Sequence, residues 1–322
     1  MKRKVILCLV GLTVLAGGAW GGFVYWGQWG SVGTGDGQFG SPEGIAVAPN
    51  GNVYVVDSAL SSTRVQYFTS AGSFLGKWGT RGAGNGAFSY PEGIAVSPTG
   101  TVYVADTGND RIQYFMSNGS YLGKWGTQGS GNGQFRSPIG LVCAPNGHVW
   151  VVDSDNCRIQ YFDGSGSFRG KWGSQGSGNG QFDEPYGIAL HVGRFYVSDE
   201  TLNRIQYFTA IGSFVGAWGS SGSGDGEFNS PHGMAAAASG IFVADRSNNR
   251  IQYFSWDGSF RGKWGSYGTG NGQFRTPNDI ALSESGYLAY VVDRGNCRIQ
   301  YFFYDTTGVA PASLGRVKAL FK

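Results

Sequence analysis

Between residues 93 and 126, short apolar runs alternate with turn residues. "GIAV" (93–96), "TVYVAD" (101–106), "RIQYF" (111–115) and "SYLGKWG" (120–126) are rich in β-branched and aromatic side chains. Pro98-Thr99-Gly100 and Ser117-Asn118-Gly119 separate them. Such runs predict four short strands, a to d, joined by tight turns, and no helical period competes with them. The unit repeats. Trp-Gly recurs at Trp29, Trp78, Trp125, Trp172, Trp218 and Trp264, at intervals of 46 to 49 residues. Ten residues after each Trp stands a Phe (Phe39, Phe88, Phe135, Phe182, Phe228, Phe274), and three residues later a Pro. An Asp closes run b (Asp57, Asp106, Asp153, Asp199, Asp245, Asp293), and an Arg opens run c (Arg64, Arg111, Arg158, Arg204, Arg250, Arg298). Four antiparallel strands per period of this length predict a propeller blade.

Six units predict an all-β, six-bladed β-propeller of four-stranded antiparallel blades. The sixth unit has runs a, b and c, ending near Tyr304, but no Trp-Gly run follows it. The missing strand stands at the other end of the chain, where Tyr25 to Gly30, "YWGQWG", matches "FLGKWG" position by position. Residues 24–30 are therefore expected to complete blade 6 and close the ring. The outer strand d is an exposed edge, and Lys77, Lys124, Lys171 and Lys263 on it discourage pairing with another chain. The glycine-rich connection "GTQGSGNGQF" lacks the Lys-Ser/Thr ending of a phosphate loop and leads into a strand, so it reads as a crossover between blades.

The chain ends differ from this body. Met1-Lys2-Arg3-Lys4 is a basic start, Val5–Leu15 is apolar, and Ala16-Gly17-Gly18-Ala19 is small. That order predicts a signal peptide over 1–19, cleaved after Gly18 or Ala19, and an exported protein: secreted, periplasmic or cell-surface. The alternative is an uncleaved anchor over residues 5–25. The propeller then spans 20–304. The tail 305–322 is basic, with Leu314, Val317 and Leu320 at helical spacing among Arg316, Lys318 and Lys322.

Composition and charge narrow the function. Without Lys2, Arg3 and Lys4, basic and acidic residues are equal in number, and setting aside the tail leaves the body slightly acidic. This is a poor match to a phosphate backbone, so no nucleic-acid partner is expected. Cys143, Cys157 and Cys297 are an odd number with no C-x-x-C pair, and their places in the blades keep them too far apart to bridge. Free, partly buried thiols are expected.

The repeated string, as in "GQFRSPIGLV…NGHVWVVDSDNCRIQYFDGSGSFRGKWG", resembles the NHL repeat, and six such units resemble the six-bladed NHL propeller. The likeness runs over about residues 24–304 and includes Asn109, Asn156, Asn248 and Asn296, three residues after the repeat Asp. The family commonly carries an acidic residue just after strand a. Here Ala48, Ser97, Ala144, His191, Ala237 and Ser283 stand there. Blade 1 has a b–c loop two residues longer, and blade 6 has Asp279 where the other blades have Gly.

Residues present in all six units read as architecture, and each Asp and Arg is expected to pair across its b–c loop. Unrepeated residues carry the functional signal. The position between Pro and Gly at the start of strand a falls on the d–a/b–c loop face, beside the central channel. Around the ring it reads Glu43, Glu92, Ile139, Tyr186, His232 and Asn278, with Asp279 next to the last. One side of this mouth is polar and acidic and the other apolar, as a ligand site requires. The acids should repel and raise at least one pKa. No cofactor is expected, apart from a calcium ion that Glu43, Glu92, Asn278 and Asp279 are weak candidates to hold. His148 and His191 are placed at the opposite face from His232, which argues against a three-histidine metal. The reading is a monomeric, non-catalytic recognition module for a protein or extracellular glycan, touching membrane only through an uncleaved signal or the basic tail. The alternative is a metal-dependent lyase or lactonase-like hydrolase with a cation at the mouth.

Overall fold

The computed structural model describes residues 22–304. The predicted signal segment 1–19 and tail 305–322 lie outside the described residues. Six four-stranded antiparallel sheets form the ring. Strands a to d span Pro42–Val47, Val53–Asp57, Arg64–Phe68 and Phe74–Trp78 in blade 1. In blade 2 they span Ile94–Val96, Val102–Asp106, Arg111–Phe115 and Tyr121–Trp125, within a residue of the predicted bounds. Strand a is Pro138–Cys143, Pro185–His191 and Pro231–Ala237 in blades 3, 4 and 5. Blade 6 takes Pro277–Leu282, Leu288–Asp293 and Arg298–Tyr304 from the end of the propeller and Phe23–Trp29 from its start. Trp29 pairs with Ile299 and Gly27 with Tyr301, the register that joins Trp78 to Val65 and Gly76 to Tyr67 within blade 1. The N-terminal strand closes the ring. Among the described residues, helix is confined to single 3₁₀ turns, and none is long and apolar enough to cross a membrane.

Aromatic packing explains the Trp-Gly-to-Phe interval. All six interval Phe side chains are fully buried. The Gly after each Trp takes a φ near +100°, and a Cβ there would lie within 2.8 Å of that Phe ring, as at Gly79 against Phe88. Only glycine meets both conditions. The Trp itself reaches into the next blade. Trp78 lies 5.6 Å from Phe115, and Trp29, on the closing strand, lies 5.7 Å from Phe68. Blade-to-blade contacts of this kind pass unbroken through the closure.

The repeat Asp and Arg do more than pair across their own loop. Arg111 Nε donates to Asp106 Oδ2 at 2.6 Å, while its two Nη atoms hold the carbonyls of Ala83, Gly84 and Ala87 in the glycine-rich crossover. Gln113, from the Arg-Ile-Gln-Tyr-Phe run, donates to the same Ala87 carbonyl and accepts from Gly86 N–H. This glutamine was not singled out from the sequence, although it recurs in every unit. The expected Asp–Arg pair forms at 2.6–2.7 Å in blades 2, 3, 5 and 6. It loosens to 3.4 Å between Arg64 and Asp57. Arg204 makes no ion pair with Asp199 and keeps only its crossover carbonyls, Ser177, Gly178 and Gln181. The cause is the Asn three residues after the Asp. Asn109 Nδ2 donates to both Asp106 oxygens and to the Gly82 carbonyl, fixing the carboxylate toward the Arg. Blades 1 and 4 have Leu60 and Leu202 there instead, and Asp199 turns to the Leu202 N–H.

Candidate functional site

A β-bulge aims the mouth residues. In blade 1, Pro42 pairs with Asp57 but the next pair is Ile45 with Val55, so Glu43 and Gly44 stand out of register. The same shift follows Pro138, Pro185, Pro231 and Pro277. A bulge at this point turns the residue after Pro out of the blade and toward the channel. The following Gly lets neighbouring strands meet backbone to backbone: a Cβ on Gly93 would sit 1.9 Å from the Ile139 carbonyl oxygen. In blade 6 the Asp279 carboxylate accepts the N–H groups of Ile45, across the blade 6–blade 1 seam, and of Ile280. The residue that departs from the repeat thus ties the two blades at the ring's closure.

The structure brings the predicted mouth residues together, and they bind one another. Asn278 Nδ2 donates to the Glu43 backbone oxygen at 3.1 Å and to the Tyr186 hydroxyl at 3.2 Å. The Tyr186 hydroxyl donates to Glu92 Oε2 at 3.1 Å, spanning from blade 4 to blade 2. The backbone carbonyl fixes the orientation of the Asn278 amide, so its Oδ1 faces His232 Nδ1 at 2.9 Å as acceptor. The His232 ring is buried, stacks on Tyr186 at 3.8 Å, and carries Nε2 to 3.1 Å from Glu200 Oε2. Ile139 fills the remaining, apolar sector. These residues line a partly open pocket of about 70 Å³. That is room for a handful of waters. Ile45, Ile94, Leu141, Ile188, Met234 and Ile280 form its floor and separate it from a recess at the opposite end of the channel.

Two charged residues of this network were missed as site residues. Arg294 Nε lies 2.8 Å and 2.9 Å from the two oxygens of Glu43, and Ser41 Oγ donates to Glu43 Oε1. Glu200 contacts His232 and lies 4.0 Å from Arg246. Both follow directly on the repeat Asp, a column that reads Ser58, Thr107, Ser154, Glu200, Arg246 and Arg294. Its change from hydroxyls to charges was the available signal.

Burial sets the electrostatics. It pushes Glu92 up to about 7, with the Glu43 charge a secondary cause, and it pushes Asp279 to about 7 against the two N–H groups that favour its charge. The expected rise therefore occurs, but desolvation outweighs repulsion. The Tyr186 phenol is raised well above its ordinary value by burial and by Glu92 and Glu43. The His232 ring beside it holds Glu200 below the usual carboxylate range. The four weak calcium candidates are each engaged by protein groups, Glu43 by Arg294, Glu92 by Tyr186, Asn278 by three partners and Asp279 by two N–H groups. Among the described residues, no group of three or more His, Cys, Asp or Glu side chains is arranged to hold a metal.

The other two histidines lie away from the mouth. His191 ends strand a of blade 4 and stacks on Trp256 at 3.9 Å, and His148 packs beside Trp150 and Tyr161. Cys143, Cys157 and Cys297 are free thiols, and burial raises Cys143 to about 12.

Comparison with known proteins agrees with this architecture. Residues 39–65, 88–115 and 135–162 match the NHL repeat family model. The chain is an NHL-repeat six-bladed β-propeller. Comparison with curated proteins gives no match. Among solved structures, the chain is similar to a protein of unknown function from Bacteroides thetaiotaomicron (TM-score 0.66, 19% identity, covering 86% of this chain and 76% of that one). It is similar to a gluconolactonase from Xanthomonas campestris (TM-score 0.62, 16% identity, 88% and 98%). It is also similar to a chain of the nidogen–laminin complex (TM-score 0.56, 16% identity, 69% and 79%). At these identities the likeness concerns the fold.

Proposed function

We propose that this NHL propeller is an exported, non-catalytic recognition module whose d–a/b–c loop face binds a protein or an extracellular glycan. The observation that carries this reading is the narrow, internally hydrogen-bonded mouth. Glu43, Glu92, Tyr186, His232 and Asn278 are linked by hydrogen bonds, and the pocket at the mouth is only about 70 Å³, so a ligand of ordinary size must dock on the rim. That rim is polarised. Asp155, Asp183, Glu184 and Glu200, with the single cation Arg136, lie over blades 3 and 4, and Arg246, Arg275 and Arg294 over blades 5 and 6. Such a charge pattern selects and orients a partner. The nidogen–laminin neighbour is a propeller seen in a protein complex, which agrees with this use of the fold.

A second reading, a lactonase- or lyase-like enzyme, is favoured by Glu92. A buried carboxyl held near 7 beside a phenol is suited to proton transfer. The two readings separate by experiment. Purified protein is assayed for binding on glycan arrays and against crosslinked surface proteins, with Asp183→Lys/Glu184→Lys and Arg275→Glu as charge-reversed, folded variants. Binding lost in either variant supports recognition. Turnover of an aldonolactone panel that disappears in Glu92→Gln would establish the enzyme reading instead.

A further inference from the structure

The opposite face, formed by the a–b and c–d turns, carries an anomaly in blade 4. Its a–b turn is the two-residue Val192-Gly193, with His191 paired to Arg194. Val192 has a φ of +44° and is 86% exposed. A β-branched residue in the left-handed region is strained, and asparagine would be at home there. The strain is not offset by burial. In the same blade Ile211 tops the c–d turn and is 85% exposed, where blades 1, 2, 3 and 5 have Ala71, Asn118, Ser165 and Asp257. Trp256, from the next blade's c–d turn, lies flat on His191 beside Val192, with an interplanar angle of 6°. Two aliphatic tips and a half-buried tryptophan thus project from one side of this face. Persisting strain at an exposed apolar residue points to function.

Where the chain leaves the ring says what covers the patch. Phe23 pairs with Tyr304, so strand d of blade 6 starts, and its strand c ends, on this same turn face. The residues before Phe23 include the apolar run Val5–Leu15 behind Lys2, Arg3 and Lys4. The seven residues from Ala16 to Gly22 can reach at most about 25 Å. In a chain that keeps this run as an anchor, the alternative to its cleavage, the turn face cannot lie far from the bilayer. The face has few charges, Arg194, Asp257, Glu284 and the Arg169–Asp163 pair, and its turns outside the patch carry Asn, Ser and Thr, so the apolar tips are confined to blades 4 and 5.

We propose that the a–b/c–d turn face of blades 4 and 5 is a membrane-contact surface, seated in the lipid headgroup region by Val192, Ile211 and Trp256. A tryptophan at the headgroup level and aliphatic tips below it are the side chains such a zone takes. The loop face proposed for recognition then points away from the membrane. This inference does not rest on that recognition reading, since it uses the other face.

The test is hydrogen exchange of the full chain, with and without phosphatidylcholine–phosphatidylglycerol vesicles, at two protein concentrations. Vesicles are expected to slow exchange in residues 190–195 and 209–214 roughly tenfold or more and to leave the crossover loops of the opposite face unchanged. Val192→Asn with Ile211→Asn is expected to fold with equal or higher Tm, because the turn strain is relieved, while the lipid-dependent protection of residues 190–195 and 209–214 is lost. Four results overturn the proposal: no lipid-dependent protection, or protection of the opposite face; protection without lipid that grows with concentration, which means a second copy; and protection without lipid at both concentrations, which means the chain's own tail.

Discussion

Replacing Glu92 by Gln isolates the electrostatics of the mouth. Glu92 is buried against Tyr186 and its pKa is raised from 4.5 to about 7. Because the folded-state value lies above the unfolded one, the folded chain holds this proton more tightly. The stability contributed by the group is fully present below pH 4.5 and is lost as pH rises through 7. Each pH unit between the two values corresponds to about 1.4 kcal/mol, so the ionised carboxylate costs about 3 kcal/mol at pH 8.5 relative to pH 4.5. Gln keeps an oxygen to accept the Tyr186 hydroxyl and never ionises. The variant should be about 3 kcal/mol more stable than wild type at pH 8.5 and nearly equal to it at pH 4.5. Urea unfolding followed by tryptophan fluorescence at both pH values measures the difference, and comparing the two proteins cancels every other titrating group. A stability gap that is the same at both pH values, or that favours wild type at pH 8.5, would refute a desolvated Glu92.

Two further predictions follow from the repeat. Arg111→Lys removes the fork that joins Asp106 to three crossover carbonyls, leaving a buried carboxylate poorly paired, and should cost about 3 kcal/mol or more. Arg204→Lys should cost less, because no Asp199 pair is lost, and equal losses of Tm would sink the idea that the Asn three residues after the Asp tightens the pair. Cys157 stands at φ +51°, where Asn203 and Asn249 stand in the blades that follow, so Cys157→Asn should raise stability by a few tenths to about 1 kcal/mol, and a lower Tm would count against local strain at this thiol.

The fold was legible because its signals are local and repeated. The Trp-Gly-to-Phe interval, the strand runs and the stray N-terminal strand are each read from short strings at fixed spacing, and the closing register repeats that of blade 1. Even the loosened pairs at Arg64 and Arg204 were latent in Leu60 and Leu202, since an Asn missing from one column removes one hydrogen-bond donor. The mouth was legible as a set of residues. Its character was not, because an open acidic rim and an internally hydrogen-bonded network use the same side chains.

The sequence by itself determined a six-bladed, N-terminally closed propeller and the column of residues at its channel, since strand period and turn chemistry act over a few residues. Only the tertiary structure decided which of those residues meet. Glu43 finds Arg294 across 251 positions, Tyr186 reaches past blade 3 to Glu92, and Asp279 holds the Ile45 N–H over the closing seam. Such contacts depend on the diameter of the closed ring and on how far each bulge turns its side chain inward. Both are set by the packing of whole blades against one another.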